Sequence, residues 1–285
     1  MHVIRCGSGY PILFIHGMPT SSRLWKEIIE RLCGHFTCFT VDLPGLGDTP
    51  QVPYDQGYLR SVAERLDQIR IDNHIERWHV VGHDAGSAVA VHYAHYFPQH
   101  VACMALLSPA LFPELKPFFL IELLRKPILG ELLAPMIGPI FWKIAMRRAL
   151  ADTIGCDRMI SAFHKPFSGF AGSWQFMRVV RWGKPSFVLA DVPQFLPELA
   201  MPTLIFHGTK DVAIPEAFAR RASELMPNAS MITLDSGHFI PLNQPESVAT
   251  GLAGFFGHHA QNAPSEQQEI RPQVYLQHVS LADLT

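Results

Sequence analysis

Charge is scarce in this chain and almost balanced. The 285 residues hold 23 Lys and Arg against 25 Asp and Glu, a net charge of −2. That balance gives no reason to expect nucleic acid or an acidic surface as a partner. Cysteine is also thin: Cys6, Cys33, Cys38, Cys103 and Cys156 are scattered and odd in number. No metal-ligand spacing appears among them, so the expectation is reduced thiols in a cytoplasmic protein without a metal or other cofactor. The first residues, Met1 to Gly7, lack the charged-then-apolar plan of a signal peptide. The most apolar stretch, Phe118 to Leu150, is broken by Glu122, Arg125, Lys126, Glu131 and Lys143 and by Pro127, Pro135 and Pro139. No uncharged window reaches the ~18–20 residues that span a bilayer. Amphipathic helices over a greasy pocket explain that stretch better. Internal repeats are missing too.

What is present is a core-forming composition, 48% hydrophobic, and a rhythm. Short apolar strand runs (Pro11 to Ile15, Phe36 to Val41, Trp78 to Val81, Val101 to Leu107, Thr203 to Phe206, Met231 to Leu234) alternate with helical stretches (Ser22 to Leu32, Leu59 to Ile69, Ser87 to Ala94, Glu216 to Met226, Pro245 to Phe256). Such alternation predicts an α/β fold, a mostly parallel sheet with helices on both faces. Residues 112–190 break the rhythm with Pro, Met, Phe and Trp and read as short helices, an inserted lid. The expected organisation is a core of 1–111 and 191–257, a helical lid of 112–190 and a polar tail of 258–285. The tail reads as poorly ordered, with a strand at Gln273 to Val279 as the alternative.

In open parallel sheets functional groups gather where strands end. Gly82-His83-Asp84-Ala85-Gly86 follows the run Trp78 to Val81 and has the form of a nucleophile elbow, with aspartate in the place usual for serine. A carboxylate is a poor nucleophile toward esters but can displace a leaving group from saturated carbon. The product is an ester of the protein itself, which a second step must hydrolyse. His238 follows the last strand run in Ser236-Gly237-His238 and suits a general base. Asp211, after Thr203 to Phe206, would hold the imidazole in its working tautomer; Glu114 is a rival orienter. His16-Gly17-Met18-Pro19 follows the first strand run, and the backbone N–H groups of Met18 and Ala85 would form an oxyanion hole. His16 itself reads as structural. Trp142, His164, Trp174 and Trp182 are the lid side chains that could donate to a leaving group, each with packing as the competing role.

Taken in order, HGMPTSSRLW, VDLPGLGDTP, VGHDAG, HGTKDVAIP and SGHFIPLNQPE resemble the α/β-hydrolase superfamily, specifically its aspartate-nucleophile branch of haloalkane dehalogenases and epoxide hydrolases. The resemblance implies Asp84 as nucleophile, His238 as base and Asp211 as acid. The chain also departs from that branch. Dehalogenases place Trp after the nucleophile and commonly Asn in the oxyanion loop, where this chain has Ala85 and Met18. Losing one such donor costs about 3–4 kcal/mol. Epoxide hydrolases usually protonate the opening oxygen with two lid tyrosines, and residues 112–190 contain none. His164 would have to serve, or Tyr54 or Tyr58 from outside the lid. Ala85 also excludes the fluoroacetate-type arginine at that position. Little precedes Gly7, so the family's first edge strand is expected to be missing or replaced.

These readings favour a cofactor-free hydrolase that opens an epoxide on a hydrophobic small molecule, because an epoxide needs one proton where a halide needs two or more tailored donors. Dehalogenation is the alternative within the same chemistry. A biosynthetic enzyme that cyclises, rearranges or decarboxylates a hydrophobic intermediate is the alternative outside it, and a binding protein with a relict site is a third class.

Overall fold

The computed structural model describes residues 1–52, 57–151 and 156–260. The chain runs β1 (Val3–Gly7), β2 (Tyr10–Ile15), α1 (Lys26–Leu32), β3 (Phe36–Val41), α2 (Tyr58–Asp72), β4 (Trp78–His83), α3 (Ala85–Tyr96) and β5 (Val101–Leu107). Helices follow without a strand among the described residues: α4 (Phe119–Arg125), α5 (Leu129–Ile140), α6 (Met146–Ala149), α7 (Cys156–His164), α8 (Gly169–Trp182), α9 (Pro185–Val188) and α10 (Val192–Phe195). The alternation then resumes with β6 (Thr203–Gly208), α11 (Glu216–Leu225), β7 (Ala229–Leu234), α12 (Ile240–Asn243) and α13 (Pro245–Ala260).

The seven strands form one sheet in the order β1-β3-β2-β4-β5-β6-β7. All pairs are parallel except β1 with β3. Interior strands are covered on both faces, which is why β3, β4 and β6 are buried along their whole length, including Thr37, Thr40, His79 and His207, with no exposed face to impose a polar alternation. The last strand, β7, keeps an alternating pattern because it lies at the edge.

One expectation is corrected here. The edge strand before Gly7 exists: β1 lies antiparallel to β3 from Val3↔Val41 to Gly7↔Thr37. Exposed Arg5 and half-buried Cys6 gave it no apolar signature, and its partner is distant in sequence. Tyr54, residues 261–285 and the Trp182 side chain lie outside the described residues.

Candidate active site

β4 enters α3 through Asp84, held at φ +50°, ψ −122°. A non-glycine residue rarely adopts such a backbone, at a cost of order 1–3 kcal/mol, and it persists only where the surroundings hold it. They do so here. The Asp84 N–H donates to Leu107 O at 3.1 Å, and the Asp84 carbonyl accepts from Ser87 N–H (3.0 Å) and Ala110 N–H (3.2 Å). Glycine is needed beside it because a Cβ at Gly86 would lie 2.4 Å from Ile15 O. The elbow therefore stands against the end of β2, and the loop after β2 reaches the carboxylate.

That loop supplies one donor and α3 the other. Met18 N–H donates to Asp84 Oδ2 at 3.0 Å, and Ala85 N–H also bonds the carboxylate. His16 fixes the loop: its Nε2 accepts from Leu43 N–H at 2.9 Å, so Nδ1 carries the proton and donates to Gly17 O at 2.8 Å. Burial lowers its pKa and keeps it neutral in this bridging role.

Three strand ends then meet. His238, after β7, presents Nε2 to Asp84 Oδ1 at 3.9 Å and donates Nδ1–H to Asp211 Oδ2 at 2.9 Å. Asp211, after β6, accepts the N–H groups of Ala213 (2.8 Å) and Ile214 (2.9 Å) on its other oxygen. Burial would raise the Asp211 pKa, but His238 and these N–H donors outweigh it and hold the acid well below the usual carboxylate range. Burial would lower His238; the Asp211 charge and hydrogen bond, with Asp84 behind them, leave it raised. Asp84 is raised because burial outweighs His238 and the two N–H donors. Glu114, the rival orienter, instead pairs with Arg221 at 3.3 Å on the surface.

Two supports carried no sequence signal. His83 Nε2–H donates to the carbonyl of His238 at 3.0 Å, and burial drops its pKa to about 3. The His238 N–H donates to Ala149 O of α6 at 2.8 Å, which ties the loop after β7 to the helical insertion. With 15 histidines in the chain, His83 could not be singled out, and a backbone bond to α6 leaves no mark on residue identity.

Above Asp84 lies an apolar cavity of about 320 Å³ between the strand ends and the insertion. Its walls include Met18, Leu43, Ala88, Phe141, Phe176 and Val180, and its polar groups are Asp84, His238, Tyr58, Lys116 and Arg125. Arg125 is occupied, donating to Val180 O, Gly183 O and Glu122. The described lid side chains named from the sequence lie elsewhere. Trp142 is buried in an aromatic cluster with His164, Phe167 and Phe176, at 5.3–5.9 Å between ring centroids, and Trp174 packs on Phe170. None of Trp142, His164 and Trp174 lines the cavity. Their aromatic surface is spent on holding the insertion together.

Among the described residues, His2, Asp42 and Asp48 bring possible metal-ligand atoms within 4.8 Å of one another, and none of the three lines the cavity. The Asp42 oxygens already accept the N–H groups of Ser22 (2.7 Å) and Asp48 (3.0 Å). The cluster therefore braces the loop after β3.

Known proteins agree with this architecture. A family described as alpha/beta hydrolase fold matches residues 10–133, and one described as serine hydrolase matches 167–250. An uncharacterized protein of Mycobacterium tuberculosis is 30% identical over 250 residues, covering 82% of this chain and 71% of its own. The chain belongs to the α/β-hydrolase family. This hydrolase is also 26% identical over 276 residues to a cis-3-alkyl-4-alkyloxetan-2-one decarboxylase of Shewanella oneidensis, covering 90% of this chain and 84% of the relative. Its fold superimposes on the haloalkane dehalogenase DbeA from Bradyrhizobium elkani USDA94 with a TM-score of 0.76 at 21% identity, covering 91% and 94% of the two chains.

Proposed function

We propose that the hydrolase opens a strained oxygen ring on a hydrophobic small molecule, an epoxide in the first instance, through an alkyl ester on Asp84. Residues 112–190 act as the lid over 1–111 and 191–257, and the free thiols of Cys6, Cys33, Cys38 and Cys103 accord with a cytoplasmic setting. The observation that carries this reading is the Asp84 carboxylate in an apolar cavity, with Oδ2 already on the Met18 N–H and Oδ1 facing His238.

In the first step Asp84 Oδ1 attacks a ring carbon and the C–O bond breaks. The released oxygen takes a proton from Tyr58, a tyrosine in the cavity wall. Ester formation neutralises Asp84. In the second step His238 takes a proton from water, the hydroxide attacks the ester carbonyl, and the charge that develops on Oδ2 meets the Met18 and Ala85 N–H groups. The ester C–O bond then breaks, the departing oxygen takes the proton held by His238, and the proton shed as the Asp84 carboxylate re-forms returns to Tyr58, which releases the diol and restores the site. A halide leaving group is served less well, because among the described residues no tryptophan N–H lines the cavity.

The shortage of proton donors also favours a second reading, decarboxylation of a four-membered lactone. Attack at the ring carbon bearing oxygen would release a carboxylate, which needs no proton. Loss of CO₂ would then form an alkene and expel the Asp84 carboxylate without water. The long match to the oxetanone decarboxylase supports it.

Intact-mass measurement of His238→Gln, exposed to an alkyl epoxide, an alkyl bromide and a dialkyl oxetanone, separates these outcomes. An adduct of whole-epoxide mass on Asp84 is expected. An adduct of the bromide lacking HBr would move the assignment to dehalogenation, and alkene from the oxetanone would move it to the second reading. A folded protein inert to all three would overturn the nucleophile assignment.

A further inference from the structure

The outer face of the helical insertion is apolar where a soluble surface would be polar. Ile128, Leu132, Met136, Ile140 and Ile144 follow one another at intervals of four and are 44–76% exposed. Residues four apart share a helix face, so they form one continuous ridge along α5 and into the turn after it. The opposite side of α5 is packed: Ala134 is buried, and Gly130 and Gly138 approach Leu124 and Ser173. The only charge on α5, Glu131, is held by Arg181. Neighbouring helices add Phe119 and Phe170 to the exposed apolar surface. A helix that is apolar on both sides needs cover on both.

Charge indicates what the cover is. Residues 112–190 hold 11 Lys and Arg against 5 Asp and Glu, while the rest of the chain holds 12 against 20. The insertion is thus a cationic face on an otherwise acidic protein. Exposed Lys126 precedes the ridge and exposed Arg148 follows it, and among the described residues neither forms an ion pair. Two copies joined through this ridge would bring two cationic insertions together, which repulsion opposes. An anionic surface is attracted, and an apolar ridge between cations matches its acyl and headgroup layers. No described helix is long and apolar enough to cross a membrane, so the contact lies in the interface plane.

We propose that the ridge of α5, with its flanking cations, docks the protein on anionic phospholipid bilayers. The test is co-sedimentation of the full chain with phosphatidylcholine vesicles, with and without phosphatidylglycerol. Binding is expected only with phosphatidylglycerol and should weaken as salt rises. The double variant Leu132→Asp, Met136→Asp should lose at least about 10-fold in partitioning, with an unchanged circular dichroism spectrum because both side chains are exposed. Lys126→Glu with Arg148→Glu should weaken binding without touching the ridge. The proposal fails if the wild type ignores anionic vesicles or if the double variant binds them equally well. It also fails if the protein is a dimer in analytical ultracentrifugation that the ridge variant dissociates, which would make the ridge a contact between copies.

Discussion

Ile12, Leu13, Phe14 and Ile15 of β2 are fully buried, while Leu132 and Met136 of α5 are 70% and 65% exposed. The two segments are about equally apolar in sequence. In the sheet, each apolar residue is covered by helices on one face or the other, so hydrophobicity reports burial. In the insertion, α5 meets α4 and α8 on one side and solvent on the other, so hydrophobicity reports only that something must cover it. The same contrast separates the polar groups. Asp84, His238 and Asp211 stand at strand ends fixed by the sheet. Trp142 and His164 sit on helices whose mutual packing decides where they point.

Four substitutions and titrations sharpen this contrast. Asp84→Asn removes the proposed nucleophile from the rigid half and should lower turnover at least about 10⁴-fold with the fold intact, as steady-state rates and thermal unfolding together would reveal. Next in size is Gly86→Ala, which forces a Cβ to 2.4 Å from Ile15 O. A loss of about 3 kcal/mol in urea unfolding is expected; a loss below 1 kcal/mol would mean that the sheet yields where it should not. Third, Tyr58→Phe should slow epoxide opening about 10²-fold, the lower end of a general acid's contribution. Trp142→Phe should change it less than about 3-fold, because Trp142 does not line the cavity. Equal effects in single-turnover kinetics would move the donor into the insertion.

The smallest effect concerns pH. His238 lies above its ordinary pKa in the free protein because two carboxylates outweigh its burial. Alkylation neutralises Asp84 and removes one of them. Ester hydrolysis needs neutral His238, so it falls as pH falls through the pKa of the alkyl-protein, which lies below that of the free protein. Comparing an NMR titration of His238 with the pH profile of ester hydrolysis checks the sign; coincident midpoints would remove Asp84 from the coupling.

Much of the sheet was legible because parallel strands buried on both faces leave short apolar runs bounded by turns. The elbow was legible because its backbone admits only glycine beside Asp84, which leaves a mark at Gly82 and Gly86. β1 was not, since a half-exposed edge strand has no apolar signature and its partner β3 lies some thirty residues on. The bracing by His83 and Ala149 was invisible for a related reason: hydrogen bonds to backbone carbonyls place little demand on residue type.

By itself, then, the sequence determined the alternation, the order of Asp84, Asp211 and His238, and the cationic, greasy composition of 112–190, because each is a local pattern of residue type. Tertiary structure alone decided that these three side chains converge, that Tyr58 lines the cavity while Trp142 does not, and that the α5 ridge faces outward. Convergence, lining and exposure depend on which surfaces the folded chain brings together, and a local pattern carries no record of its partner.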